Sequence, residues 1–353
     1  VRLSSVLSEA GRDIRSGTTR FATFAVLLAA TTGIAGAADV GTVASLTRDA
    51  SAYVASGAAT RTAALEGGID GAACDALAGH GDVLAAGALR PGPGLALTAL
   101  PGATLSTFEV TPGLAALIAD SDGRAGAWLS PTLADRLGAA AGDELGTPQG
   151  PLPVAGVFVH PEDGRDSRLS SAVLLPGDAS RPFDECWARA WPQGGSTDDL
   201  LRSTTSSSAG PTAPLSLGQL NASLGSIFDT DAVGERLTRW APAVAAVTAA
   251  VLGIVSVRRR RLEFSGARQA GQSRTAQLAV VVVETAAWAV CGAVVASGLT
   301  ALTLLLDAGS LVDSPAHLLT AAPLAAAAGA VLAAALTTAT IRRRDLVRWF
   351  KDR

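Results

Sequence analysis

The chain has 353 residues, of which 48% are hydrophobic and 17% charged, with a mean hydropathy of +0.34. A soluble chain carries about 25% charged residues, and the shortfall argues against a wholly water-soluble protein. Aromatic residues are only 4%, and the Ala-, Val- and Leu-rich remainder suits helices packing through small residues better than an aromatic-rich core. The net charge of −3 conceals a strong separation of charge along the chain.

Residues 1–20 place Leu3, Leu7, Ala10 and Ile14 at helical spacing, with Arg2, Glu9, Arg12, Asp13 and Arg15 elsewhere on the wheel. The pattern predicts an amphipathic helix lying on the inner membrane face. The first apolar stretch, Phe21 to Ala38, holds 18 residues without an ionisable side chain, enough to cross about 30 Å of hydrocarbon. It predicts a span over 21–40. A secretory signal ending near Ala35-Gly36-Ala37 is the competing reading, but the run is long for a signal core of about 7–15 residues.

Residues 41–239 then read as one large extracytoplasmic domain. Gly41 to Ser56 continues the helical pattern outward as a stalk. Leu215 to Arg239 reads as a second stalk helix, with Leu217, Leu220, Leu224, Ile227 and Phe228 at helical intervals. Between them, Leu152 to Val159 and Ala172 to Leu175 are strand-like and bounded by Pro and Gly. Leu129 to Leu137 predicts a helix with Ser130 as N-cap and Pro131 in the first turn. Residues 193–214, rich in Ser, Thr, Gly and Pro, read as a flexible loop. The expected fold class is a membrane α-helical protein with four transmembrane helices and a mixed α/β extracytoplasmic domain inserted between spans 1 and 2.

Three further spans follow, at 240–257, 276–306 and 318–340. The third is longer than a crossing requires and holds one acid, Glu284. An ionisable group inside a span faces a bundle interior or a cavity, and pairing or snorkelling near the inner leaflet is expected, with Arg268 close in sequence. The basic segments 1–20, 258–274 and 341–353 together carry 16 bases and 5 acids, whereas 39–239 carries 12 bases and 23 acids. Short Arg-rich loops stay cytoplasmic. The expected topology therefore places residues 1–20, the loop 258–275 and the tail 341–353 in the cytoplasm, with 41–239 and 307–317 outside a cell membrane.

Cys74 and Cys186 both fall in the exported domain, where a disulfide between them is expected; two buried free thiols are the alternative. Cys291, in the third span, reads as a small packing residue.

The cytoplasmic loop reads Arg258-Arg259-Arg260-Arg261-Leu262-Glu263-Phe264, then Arg268, Gly271, Gln272 and Ser273. This resembles the loop of MacB/FtsX-type ABC transporter permeases, where a basic cluster, a Glu, a downstream Arg and a Gly-x-Ser turn precede the next helix. Leu129 to Gly138, then Gly142-Asp143-Glu144-Leu145 and the strand Val154 to Val159, look like the periplasmic core of the same family. The resemblance implies a single four-span permease module, where many relatives carry eight or ten spans. It implies that Arg258, Arg259, Arg260, Arg261, Glu263, Phe264, Arg268 and Gly271 couple the chain to a separate ABC ATPase subunit, with Glu263, Phe264 and Arg268 forming a docking surface. ATP and Mg would sit on that partner, since no G-x-x-x-x-G-K-[ST] loop is present here. A second permease chain, alike or different, membrane lipid and an extracytoplasmic partner protein such as a cell-wall hydrolase complete the expected partners. Positive-inside signalling and head-group anchoring alone account for the four-Arg run without a coupling role.

Other chemistries find little support. No cofactor is expected in the chain itself. His160 lies beside Glu162, Asp163 and Asp166 but lacks a second His or Cys at ligand spacing, and reads as part of a solvated turn. The serines at 203–208 lack a nucleophile elbow, so no catalytic residue is assigned. The acidic exported domain disfavours nucleic acid. The second functional reading is a membrane-anchored signalling or scaffold protein whose outer domain binds a ligand without an ATPase.

Overall fold

A computed structural model of the chain describes residues 3–100, 102–118, 125–206, 214–306 and 315–341. The chain opens with α1 (Leu3–Arg15) and α2 (Phe21–Ala55). The inserted domain begins with β1 (Thr60–Ile69), α3 (Gly71–Asp75), β2 (Val83–Pro91) and the short pair β3 (Leu95–Ala96) and β4 (Thr104–Leu105). It continues through β5 (Thr107–Val110), α4 (Pro112–Ile118), β6 (Ala127–Leu129), α5 (Pro131–Leu137), β7 (Glu144–Thr147) and β8 (Gly150–Val157). It closes with β9 (Val173–Pro176), β10 (Phe183–Ala190), α6 (Ser196–Ser203) and β11 (Ser216–Gln219). After α7 (Ala232–Glu235) come α8 (Ala241–Arg259), α9 (Arg261–Gln269), α10 (Arg274–Leu306) and α11 (Pro315–Thr340).

Two compact units result: one from the residues up to Arg48 and from Asp231 onward, the other from Asp49 to Thr230. Among the described residues, four helices are long and apolar enough to cross a membrane: Phe21–Ala55, Leu237–Arg259, Arg274–Leu306 and Ala316–Thr340. At 1.5 Å per residue the 35-residue α2 is about 52 Å long. It overshoots about 30 Å of hydrocarbon, so its C-terminal part continues as an extramembrane helix, as the pattern over Gly41 to Ser56 predicts. The α8 face formed by Ala241, Ala245, Ala249 and Gly253 is buried, as are Ala322, Ala326 and Ala330 of α11. A Cβ on Gly253 would lie 2.3 Å from the Ala330 carbonyl oxygen, so only glycine permits the two helices to approach this closely. The other side of α8 exposes Val244, Val247, Val251 and Val255.

The second unit is a mixed α/β domain, built on a nine-stranded sheet in the order β11-β1-β10-β2-β5-β9-β6-β8-β7 among the described residues. The pairs β5–β9 and β6–β8 are parallel and the others antiparallel. Alternation along β10 sends Trp187 into one core, with Leu114, Phe158 and Leu174. Cys186 and Ala188 enter the other, with Ile69, Phe183 and Leu201. Ser130 takes the N-cap position of α5 and Pro131 its first turn, but the serine side chain makes no capping bond; Gly138 ends the helix in the left-handed conformation.

Two expectations are corrected. Leu215 to Arg239 is not a second stalk helix: β11 pairs with β1 at the sheet edge, and only α7 and a 3-10 turn, Leu237–Trp240, follow. Leu215 and Leu217 also fit a period of two, and both pack against the core, Leu217 from β11 and Leu215 from the residue before it. Gly225 takes φ +89 and interrupts any helix downstream. Within the expected loop 193–214, residues Ser196–Ser203 form α6, opened by Asp198 and Asp199 in its first turn. The remainder of that loop from 207 to 213, most of the expected outer loop 307–317, and the tail from 342 on lie outside the described residues.

Cys74 and Cys186 are bonded, joining α3 to β10 across a sequence separation of 112, and Cys291 is free. Closing a loop of this length is worth about 4–5 kcal/mol in the chain-entropy model. Alkylation of the denatured chain should therefore label one thiol before reduction and three afterwards. Cys74→Ala with Cys186→Ala should destabilise the inserted domain by several kcal/mol, read by denaturant unfolding; three labelled thiols without reductant would disprove the bridge.

Candidate functional site

The loop between α8 and α10 folds into α9, and Arg260 stands at the joint between α8 and α9. Its guanidinium gathers three acids from three elements. Nη1 donates to Glu284 Oε2 of α10 at 2.6 Å, and Nη2 to Asp13 Oδ2 of α1 at 2.7 Å. Nε and Nη2 donate to the two carboxylate oxygens of Glu263, at 2.9 and 2.6 Å. The same group lies 4.8 Å from the centre of the Phe264 ring, within cation–π range. Burial works against the charge on Arg260, but Glu263, Glu284 and Asp13 hold its pKa above the ordinary value.

The depth of the cluster is graded. The Glu284 side chain is 5% exposed, Asp13 27% and Glu263 46%, so the site runs from the bundle interior to the surface. Among the described residues, Glu284 Oε1 has no protein hydrogen-bond partner. It lines a cavity of about 10 Å³ with Thr19, Ser256 and Trp288.

Further bonds fasten α9 to its surroundings. The Gln277 side-chain amide of α10 donates to the Phe264 carbonyl at 2.9 Å. Arg268 Nη1 donates to the Ile341 carbonyl at 3.1 Å, just past α11. Gly271 takes φ +102, a conformation suited to glycine, and turns the chain so that Gln272 Nε2 reaches Glu9 Oε1 of α1 at 3.1 Å. Val6 and Ala10 of α1 pack on Val280 of α10, while Leu3 and Leu7 stay exposed. Ala10 of the predicted membrane-facing stripe thus packs inside the bundle together with Val6.

The structure brings together Arg260, Glu263, Phe264 and Glu284, while Arg268 bonds to the Ile341 carbonyl and Gly271 sits in the turn after α9. It sets Arg258 and Arg259 at the exposed end of α8 and Arg261 at the exposed start of α9. Two corrections follow. Phe264 and Arg268 are 6% and 5% exposed, so neither side chain is offered to a partner; both are held by packing and hydrogen bonds inside the bundle. The base facing Glu284 is Arg260, because Arg268 is turned toward the end of α11. Sequence reasoning missed Asp13 and Gln277. The signal for Asp13 was an acid inside a basic amphipathic segment, next to a loop with excess arginine.

In the inserted domain, His160 is buried, not solvated, at 6% exposure. Its Nε2–H donates to the Asp166 carbonyl, 2.6 Å away. Burial is the main cause that lowers its pKa below the ordinary 6.5.

No protein-family model matches the sequence, and neither does any curated protein. Among solved structures, the chain is similar to the periplasmic region of MacB from Actinobacillus actinomycetemcomitans, at 11% identity over 46% of this chain and 89% of that one, with a TM-score of 0.34. It is similar also to the extracellular domain of the noncanonic ABC-type transporter YknZ from Gram-positive bacteria, at 11% identity over 46% of this chain and 100% of that one, with a TM-score of 0.31.

Removing one partner of a buried ion pair costs about 3–5 kcal/mol, because the other charge is left uncompensated. Arg260→Gln should destabilise the helical unit by that order, and Glu284→Gln in the same chain should restore most of the loss. Thermal unfolding of the four variants of this cycle in lipid nanodiscs measures the coupling; strict additivity would refute it. For His160, the unfolded state takes up a proton before the folded one as pH falls below 6.5. The inserted domain should therefore lose stability with falling pH in that range, and His160→Gln, which keeps a donor, should flatten the dependence.

Proposed function

We propose that the chain is a permease subunit of the MacB/FtsX type, in which a separate ATPase subunit drives motion of the inserted domain. The observation that carries this reading is the bracing of α9. A nine-residue helix between two spans is bonded to α1 through Arg260–Asp13, to α10 through Arg260–Glu284 and Gln277–Phe264, and to the end of α11 through Arg268. A force on α9 therefore reaches several spans at once. The sequence resemblance in the loop 258–273 and in residues 129–159 supports the same assignment.

In this reading the Arg-rich segments lie in the cytoplasm, following the positive-inside rule, and the inserted domain lies outside the cell membrane. ATP and Mg bind the partner. The only lysine of this chain is Lys351, so a phosphate loop of the G-x-x-x-x-G-K-[ST] kind cannot form in it, and the subunit is read as non-catalytic. Two permease chains, alike or different, flank two ATPase subunits. Motion of the inserted domain serves extrusion of a substrate or control of an extracytoplasmic protein.

With Phe264 and Arg268 buried, the docking surface falls on what α9 leaves exposed: Arg261, Glu263, Gln269 and Ala270. Gln269→Arg with Ala270→Arg should abolish co-purification of the partner ATPase and cut its permease-stimulated turnover more than about tenfold, as expected when charge is forced into a packed contact. The thermal stability of the permease itself should not change. If no ATPase co-purifies with the unaltered chain, the reading fails.

A further inference from the structure

We infer that a single water molecule is bound inside the helical unit at the elbow between α1 and α2, where it joins Thr19 to Ser256 of α8 and Glu284 of α10. All three side chains line one cavity. The space there open to the centre of a water molecule is about 10 Å³, the size that holds one. Two buried oxygens on its wall, Thr19 Oγ1 and Glu284 Oε1, have no hydrogen-bond partner within the protein. Leaving two such atoms unmet costs more than immobilising a water that meets both. Val257 and Val281 close the cavity with apolar surface.

Donors and acceptors assign the hydrogens. A carboxylate only accepts, and Asp13, which shares Arg260 with Glu284, is an acceptor as well. Glu284 Oε1 therefore needs a donor from elsewhere. Ser256 Oγ spends its hydrogen on the Gly253 carbonyl at 2.8 Å and keeps its lone pairs to accept with. A water that accepts from the Thr19 hydroxyl and donates to Glu284 Oε1 and Ser256 Oγ makes three bonds, the usual number for a buried water. A metal cation fits less well. Arg260 lines the same cavity and repels it, and hard cations take about six oxygen ligands or more. The place of the water gives it a role. In the turn between α1 and α2, Gly17 takes φ +77 and Arg20, which has a Cβ, takes φ +49, a conformation uncommon outside glycine. The water fastens this turn to α8 and α10 beside Arg260. The inference does not depend on an ATPase partner.

A density map of the full chain in lipid nanodiscs, at a resolution that shows ordered waters, tests it directly. One isolated peak should lie within hydrogen-bond distance of Thr19 Oγ1, Ser256 Oγ and Glu284 Oε1. A direct bond between Thr19 and Glu284 would overturn the proposal. So would the Asp13 and Glu284 carboxyl groups drawn together over a shared proton with no peak beside them, or a peak ringed by about six oxygens as a cation would be. Unfolding of the chain in the same nanodiscs supplies a second measurement. Thr19→Val, which keeps the shape and removes the donor, should lower the folding equilibrium constant about tenfold, the usual cost of stranding a buried polar group. Thr19→Ser, which keeps the hydroxyl, should change it less than about twofold. Equal losses in Thr19→Val and Thr19→Ser would show that the methyl group matters and the water does not.

Discussion

Glu284 sets the central constraint, because a carboxylate inside a membrane-spanning helix is tolerated only if something at the same depth answers its charge. Arg260 does so from the loop, at 2.6 Å, and the position of that arginine then determines much else. A guanidinium has five donors in a fixed fork, and one carboxylate oxygen does not exhaust them. The remaining donors reach Asp13 and Glu263. One buried acid therefore specifies where α1 lies against α10, how α9 leaves α8, and which face of α9 is turned inward. Breaking the pair would leave charge stranded in the bundle.

The spans themselves pack by a different rule. Lipid tails are as apolar as leucine, so burying leucine between spans gains little over leaving it in lipid. Close backbone approach is what small residues make available, and α8 and α11 use it through alanines and Gly253. Large aliphatic side chains go outward: Val244, Val247 and Val251 on α8, and Leu324, Leu332 and Leu336 on α11. Aromatic packing is confined to a few places, among them Phe24 against Trp288 at 5.4 Å between ring centres. This division explains how a chain with 4% aromatic residues still has a defined interior.

Features that depend on local pattern or on charge were legible in the sequence. Apolar runs with at most one ionisable residue marked all four long helices, and Ser130-Pro131 marked the start of α5. Cys74 and Cys186 could be paired because both stand in the inserted domain. The large strands β1, β2 and β10 were not legible. Their middles are rich in small residues, as in Gly87-Ala88 and Ala63-Ala64, and hold few of the β-branched and aromatic residues that announce a strand. Their burial comes from long-range partners, such as Cys186 opposite Ala63. The same limit applied to the candidate site. The loop 258–273 stood out by composition, but Phe264 and Arg268 could be told from surface residues only once α9 had a direction. Asp13 lies 247 residues from Arg260, and no spacing rule connects them.

The two connections between the helical unit and the inserted domain differ in stiffness. On one side α2 is a single unbroken helix to Ala55. Its last turn carries Tyr53, which is 2% exposed, stacks with Trp191 and Phe228, and donates its hydroxyl to Gln193 Oε1 at 3.1 Å. On the other side, residues 220–240 run through turns, α7 and a 3-10 segment. There the order comes from an ion pair instead: Arg236 binds Asp39 of α2 through Nε at 2.7 Å, with both side chains largely buried. A helix resists compression along its axis because every turn is hydrogen-bonded to the next, whereas an irregular segment absorbs displacement by rotating backbone dihedrals.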